Sequence, residues 1–266
     1  PARPPNLCPG CPHTSVFFQL KRYRANVFGD IGCYTLGALP PLSAMHTTLC
    51  MGASLTSDFG FSQALEKLSP DDKKAQKEAK KTFGVIGDST FFHMGAPGVL
   101  ETVFNKGINN IIILDNRTTA MTGHQVHPGT GRTLQGEETK ALKPEDVVRA
   151  FGIEHVQVVD TYDLKAVQKA IKAAIEHDGP SAIIARRPCV LLREERKCWM
   201  TAPKYVVLEE KCAGERCGLC LRLGCPAIFK AEDGKAKIDK ILCTSCSLCA
   251  QLCPYDAIKR EDELNG

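Results

Sequence analysis

Two groups of residues in this chain have the types and spacing to do chemistry. One is a set of cysteines in close runs; the other is acidic and amide residues that end apolar segments. Near the start stands LCPGCPH, with Cys8 and Cys11 two residues apart. Two thiolates are half of a metal site, since neither a zinc shell nor an iron–sulfur cluster is complete with two. Taken alone, the pair reads as a zinc knuckle, a redox dithiol or part of a cluster.

The chain has 14 cysteines, and eight of them fall after residue 204 in two runs at spacings of two to four residues. Such close neighbours are badly placed to pair with one another, so a disulfide framework is disfavoured and a reducing, cytoplasmic setting is expected. The eight form two related runs, CAGERCGLCLRLGCPAI (212–228) and CTSCSLCAQLCPYDAI (243–258). The second is C-x2-C-x2-C-x3-C-P, the bacterial ferredoxin pattern, and the first is a stretched version of it. In two-cluster ferredoxins the fourth cysteine of each run ligates the other cluster. One 4Fe-4S cluster would then take Cys243, Cys246, Cys249 and Cys225. The other would take Cys212, Cys217, Cys220 and Cys253, although the extra residues around Cys217 leave a three-iron cluster open there. A module of this kind passes single electrons.

The oxygen donors lie earlier. GVIGDSTFFHMG (84–95) and IIILDNRTTAMTG (111–123) are each an apolar strand ending in a polar residue. Parallel strands open their carboxyl ends on one sheet edge, where ligands bind. Asp88 and Asn116 would converge there on one Mg2+, with a backbone carbonyl at Thr118 completing the protein share beside phosphate oxygens. A helix starting at Gly95-Ala96-Pro97 would add N–H groups for a phosphate. Gly87-Asp88 with Asn116 28 residues after the aspartate is the spacing of the thiamin diphosphate motif, with Ser89 where that motif has glycine. The competing reading is two ordinary strand-end turns.

The elements that must position these residues alternate. Strands are expected over 25–28, 82–88, 110–116, 154–160 and 180–188, and helices over 96–107, 143–152 and 163–179, the last with Asp163 as N-cap. This rhythm predicts an α/β, doubly wound parallel sheet. Residues 1–190 would form that domain, 191–204 a linker, and 205–266 a small α+β two-cluster ferredoxin-like domain with strands over 205–210 and 235–241. The charged stretch 69–81 reads as a solvated loop or helix, and Trp199 is expected to pack between the two parts. The net charge of +4 is too mild to suggest nucleic acid or membrane binding. No apolar stretch is long enough for a membrane span. The chain opens on Pro1 without Met or a charged-then-apolar leader, which suggests a fragment or a trimmed chain.

Several stretches together carry a resemblance: LCPGCPH, GDIGCYTLGALPPL, TTLCMGASL, GDSTFFHMG, LDNRTTAMTGHQ and HPGTG, followed by the double cysteine run. From Leu7 to Lys259 the chain resembles the large (α) subunits of indolepyruvate:ferredoxin oxidoreductases, in the 2-oxoacid:ferredoxin oxidoreductase superfamily. The resemblance implies thiamin diphosphate, Mg2+, iron–sulfur clusters and coenzyme A. Its reaction turns an aryl 2-oxoacid into an aryl-acetyl-CoA and CO2 and reduces ferredoxin. It also implies a third cluster close to thiamin, held by Cys8, Cys11, Cys33 and Cys189. Free or partly zinc-bound thiols are the alternative for those four.

Under the same resemblance, Gly32, Cys50, Met51, Gly87, Ser89 and Gly123 lie beside the cofactor. Met121, Thr122, Gly123 and Gln125 form the loop framing the thiazolium and substrate, and an apolar Met121 suits an aromatic substrate. His93, ahead of His124 and His127, is the candidate to polarise the substrate or move protons. The glutamate-bearing, pyrimidine-binding domain that thiamin enzymes need has no counterpart here. A missing N-terminal part or a separate chain would supply it, beside a small (β) subunit, and this chain alone would be inactive. Two other readings stand: the same chemistry on pyruvate, 2-oxoglutarate or branched-chain 2-oxoacids, and a non-catalytic iron–sulfur electron carrier.

Overall fold

In the computed structural model, which describes residues 5–264, strand β4 (Asn110–Asp115) shows why the chain folds as it does. Ile111, Ile112, Ile113 and Leu114 point alternately to the two faces of a sheet, and all four are wholly buried. Both faces must therefore be covered, as in a parallel sheet between two helical layers. The sheet has six strands, all parallel: β2 (Thr47–Thr48), β1 (Asn26–Gly29), β3 (Thr82–Gly87), β4, β6 (Ser181–Arg186) and β5 (His155–Asp160), in that spatial order.

On one face Ile112 and Leu114 join Phe17 and Leu20 of α1 (Thr14–Tyr23) with Val167 and Ile171 of α7 (Leu164–Glu176). On the other, Ile111 and Ile113 meet Leu55 of α2 (Ala53–Leu68), Val99 of α5 (Ala96–Phe104) and Val148 of α6 (Pro144–Ala150). Each such side chain contributes roughly 1.5–3 kcal/mol by leaving water. Asp163 caps α7, accepting from the Lys165 and Ala166 amides at 2.9 Å.

Two helices have no clear signal in the sequence. Residues 14–20 of α1 are buried without a break, so no polar stripe marks the helical period. The inward face of α2 carries Ser54, Asp58, Ser62 and Gln63 beside Leu55, which erases its apolar stripe. The charged stretch holds a short helix, α3 (Lys73–Ala79), capped by Asp72 and seated on Ala75 and Ala79.

Beyond β6, α8 (Arg193–Thr201) leads across with no buried residue. The Trp199 indole donates to Val190 O at 3.0 Å and Lys204 covers its ring, so it packs where the two parts join the connecting segment. The C-terminal part has two antiparallel pairs, β7 (Tyr205–Val207) with β10 (Ile258–Arg260) and β8 (Ile228–Lys230) with β9 (Ala236–Ile238), and one helix, α9 (Leu248–Leu252). It is docked on the sheet domain: Leu223, Leu248, Leu252 and Ile258 share one apolar cluster with Phe17 and Leu20. Gln251 fastens the join, accepting from Leu164 N at 3.0 Å and donating to Tyr162 O at 2.7 Å. Among the described residues, no helix is long and apolar enough to cross a membrane.

Candidate cofactor site and cysteine sets

After β1 the chain adds β2 on one side of it and β3 on the other. The segments leaving the carboxyl ends of β1 and β3 therefore part, and the crevice between them is where open α/β sheets bind ligands. A cavity of about 580 Å3, mouth included, fills that crevice. Gly32, Cys33 and Tyr34 wall it after β1, Gly87, Asp88, Ser89 and Thr90 after β3, and Asn116, Thr118, Met121 and Thr122 after β4. Met51 enters from the segment before α2.

Asp88 is the hinge of the site and is 2% exposed. Its Oδ1 accepts from Ser89 N and its Oδ2 from Arg117 N, both at 2.8 Å. Arg117 adopts the left-handed backbone conformation, φ 64°, which presents that amide to Asp88. Its guanidinium reaches Gly129 O at 3.1 Å and Asp115 at 3.3 Å. Behind it, Arg186 binds Asp115 at 2.7 Å and Glu145 through both terminal nitrogens. Burial pushes the Asp115 carboxyl up, and Arg186 and Arg117 pull it back. This network holds the end of β4, and Asn116 follows with its Oδ1 accepting from Thr118 N at 3.3 Å.

Asp88, Asn116 and Thr118 thus line a single cavity. Hard oxygen donors of this kind fit Mg2+, which takes few protein ligands beside phosphate oxygens.

The helical run after β3 begins earlier than the spacing suggests. α4 (Asp88–Thr90) passes through a π-helical turn (Phe91–Gly95) into α5. Gly95 lies mid-run, where a Cβ would stand 2.2 Å from Ile86 Cδ1, so no helix start exists at Gly95-Ala96-Pro97. At the start of the run Ser89 N is already held by Asp88 Oδ1, and both Ser89 and Thr90 line the cavity.

Not every anticipated residue reaches this cavity. His93 is exposed, turned back so that Nδ1 meets Ser89 O at 2.7 Å. Cys50, Gly123 and Gln125 are exposed and lie outside the lining. Gln125 instead closes its own loop, with its amide on Thr122 at 2.5 and 2.6 Å.

Other residues take their places. His127 is buried with Nε2 3.2 Å from Asp88 Oδ2. Its Nδ1 accepts from Gly129 N at 3.2 Å, and its buried Nε2 makes no hydrogen bond. His13 lines the cavity with Nε2 3.4 Å from Asn116 Nδ2. Burial holds its imidazolium down to about 4 against the pull of Asp88. Tyr34 donates to the buried Asp30 and accepts from Gly87 N at 3.1 Å. Asp30 also accepts from Gly52 N at 2.8 Å and from the Ser54 hydroxyl at 3.3 Å. The Cys-Pro-His tripeptide and the Gly-Asp before Ile31 were visible as letters, but only the fold turns them inward.

The cysteines gather in three sets. Cys212, Cys217, Cys220 and Cys253 line one cavity of about 410 Å3, mouth included. Cys225, Cys243, Cys246 and Cys249 line another of about 320 Å3. Each set takes three cysteines from one run and its last from the other. Burial lifts the Cys220 thiol to about 11 and Cys246 to about 12, with neighbouring thiols adding to both. Cationic iron would reverse that by binding the thiolates. Among the described residues, no three His, Cys, Asp or Glu side chains close on a single metal position. Four thiols around one cavity are the donor set of a 4Fe-4S cluster. The third set is Cys8, Cys11, Cys33 and Cys189. Burial raises the Cys11 thiol, and Cys8, Cys189 and Cys33 are all near enough to raise it further. Cys33 also lies in the wall of the Asp88 cavity.

A family model for the C-terminal TPP-binding domain of thiamine pyrophosphate enzymes matches residues 30–185. This chain belongs to the thiamine pyrophosphate enzymes. The matched span runs from Asp30 to the end of β6 and holds both strand ends around the TPP-domain cavity. A 4Fe-4S binding-domain model matches residues 236–259, which contain the second cysteine run. Among curated proteins, the TPP-domain chain is 46% identical to "Indolepyruvate oxidoreductase subunit IorA" of Pyrococcus horikoshii, over 99% of this chain and 42% of that protein. It is 41% identical to the subunit of the same name from Archaeoglobus fulgidus, over 97% of this chain and 40% of that one. The chain thus spans about two fifths of the length of these relatives. A solved 2-oxoglutarate:ferredoxin oxidoreductase from Magnetococcus marinus superposes with a TM-score of 0.53 at 20% identity, covering 69% of this chain and 64% of that one. That likeness is one of fold.

Proposed function

We propose that this chain is the thiamin- and cluster-bearing part of a 2-oxoacid:ferredoxin oxidoreductase acting on an aryl 2-oxoacid of the indolepyruvate type. The observation that carries the reading is Cys33. It belongs to the set Cys8, Cys11, Cys33 and Cys189 and also walls the cavity that holds Asp88 and Asn116. A cofactor site adjoining a cysteine set, with two more sets behind it, is built to hand on electrons one at a time. The reading divides the chain into 1–190, 191–204 and 205–266 and takes all three sets as 4Fe-4S clusters.

In this reading, Asp88, Asn116 and the Thr118 carbonyl hold Mg2+ and through it the diphosphate. Bound thiamin diphosphate would supply the electron sink for loss of CO2 from the 2-oxoacid. Thr90, lining the cavity at the start of the helical run, would offer its amide to the diphosphate. The Ser89 and Arg117 amides keep the Asp88 carboxylate oriented, with the buried His127 ring beside it. Tyr34, hydrogen-bonded to both Asp30 and Gly87, keeps the β1 and β3 segments at a set width. Met121, at the mouth, gives an aryl ring an apolar surface. CoA takes the acyl group and ferredoxin the electrons. A pyrimidine-binding domain and a small subunit complete the assembly, which is placed in the cytoplasm.

The test is anaerobic purification of the complete protein with its partner subunit. About twelve iron and twelve sulfide per copy are expected for three clusters, with thiamin diphosphate bound. Aryl 2-oxoacids should reduce ferredoxin in the presence of CoA faster than pyruvate or 2-oxoglutarate. Equal rates across that panel would overturn the aryl assignment, and absence of thiamin diphosphate would overturn the enzyme reading.

A further inference from the structure

The opening CPGCPH loop meets the second part of the molecule at Gly10. Gly10 lines the cavity of Cys225, Cys243, Cys246 and Cys249. Its φ is +68°, and a Cβ there would stand 2.0 Å from Thr244 Oγ1, between Cys243 and Cys246. The position thus demands glycine twice over, for its backbone and for lack of space. Burial raises the Cys225 thiol, and the amides of Ala227, Gly10 and Ile228 hold it down. The Gly10 amide therefore faces a sulfur of this second set, while Cys8 and Cys11 on either side belong to the set beside the cofactor cavity.

Tyr162 fixes Gly10 from the other side. Its hydroxyl donates to Gly10 O at 2.5 Å across a sequence distance of 152 residues. Its own carbonyl is held by Gln251 of α9, and the Arg187 guanidinium lies 4.5 Å from its ring centroid. Thiols from both sets, Cys246 and Cys11, are among its neighbours and, with burial, keep the phenol protonated. Tyr162 thus joins the loop of the first set to the second part of the molecule, with a thiol of each set beside it.

We propose that Tyr162 is a positioning residue for electron transfer between the cluster of Cys8, Cys11, Cys33 and Cys189 and that of Cys225, Cys243, Cys246 and Cys249. By seating Gly10 it sets both the potential of the second cluster and its separation from the first. This rests on the three-cluster reading above. One electron leaves the first cluster and enters the second; no bond forms or breaks, and Tyr162 is neither oxidised nor deprotonated. Hydrogen bonds to cluster sulfurs raise the potential by favouring the more negative, reduced form. Loosening Gly10 weakens one such bond, and a lost bond is worth about a factor of ten in equilibrium.

The experiment is Tyr162→Phe in the complete protein, prepared anaerobically beside wild type. Iron counts come first, then a redox titration followed by electron paramagnetic resonance, then single-turnover transfer between clusters. Wild type should carry about twelve iron. The variant should keep that content while one cluster of the three becomes about tenfold less reduced at its former midpoint, a fall of about 59 mV for one electron. Transfer into that cluster should slow, with the other two midpoints unmoved. Gln251→Ala, which frees the Tyr162 carbonyl, should move the same midpoint in the same direction and serves if Tyr162→Phe does not fold. Full iron with all midpoints and rates unchanged overturns the role of Tyr162 and leaves the clusters standing. About eight iron in wild type overturns the three-cluster reading and this role with it.

Discussion

Asp88→Asn is the sharpest single perturbation of the cofactor cavity. The carboxylate accepts one backbone amide on each oxygen, both at 2.8 Å, and is almost wholly buried. An asparagine there keeps one acceptor and turns an NH2 toward the other amide. Whichever way it faces, either Ser89 N or Arg117 N meets a donor. A lost hydrogen bond to a charged group costs about 1.5–3 kcal/mol. Easing the repulsion that Asp88 exerts on Asp115 returns a small part, so a net loss of about 2 kcal/mol is expected before any cofactor binds. The proposed cation site loses its carboxylate as well. Removing one partner of a buried charge pair costs about 3–5 kcal/mol, which is at least 100-fold in affinity at about 1.4 kcal/mol per tenfold. Urea unfolding of the cofactor-free chain reads the first number. Calorimetric titration of the complete protein with thiamin diphosphate and Mg2+ reads the second. A variant with wild-type urea midpoint and affinity within threefold would refute Asp88 both as the pin between β3 and β4 and as a metal ligand.

Asp30 should make stability depend on pH. Burial pushes its carboxyl up to about 6, against the pull of Gly52 N and Ser54. The folded state therefore binds this proton more tightly than the unfolded chain, whose value is about 3.9. The penalty of charging Asp30 is present above pH 6 and is relieved as pH falls toward 4. It amounts to about 3 kcal/mol at 1.36 kcal/mol per unit, and Asp30→Asn should flatten that slope in denaturant midpoints across the range. Ile112→Ala, in the wholly buried centre of β4, should destabilise by about 2–5 kcal/mol in the same assay. Cys249→Ala should remove about four iron from the complete protein and leave thiamin diphosphate bound; loss of both would mean that the two ends of the molecule do not assemble separately. Met121→Asn should lower the rate on aryl 2-oxoacids more than on pyruvate, and an equal fall on both would remove Met121 from substrate selection.

Much of this molecule is legible locally. The strands over 82–88, 110–116 and 180–188 were readable because a parallel strand buried on both faces is a short apolar run. The ends of β3 and β4 share an edge for the same reason, so Asp88 and Asn116 could be set together on paper before any coordinates. The double cysteine run is legible because ligand spacing is a property of a few consecutive residues, and its repeat also suggested how the two runs exchange their last cysteine.

What only the tertiary structure decided is what depends on loops returning from far away. The sequence has no period that shows His127 folding back onto Asp88, or the helical run starting at Asp88 rather than Gly95, which leaves His93 in solvent. Helix α2 was hidden because its buried face is polar, and α1 because seven consecutive residues of it are buried. The docking of the two parts through Gln251, and the meeting of Tyr162 with Gly10 across 152 residues, come from packing alone. Local spacing names the ligands of a site; which distant side chain orients them is settled only when the chain closes on itself.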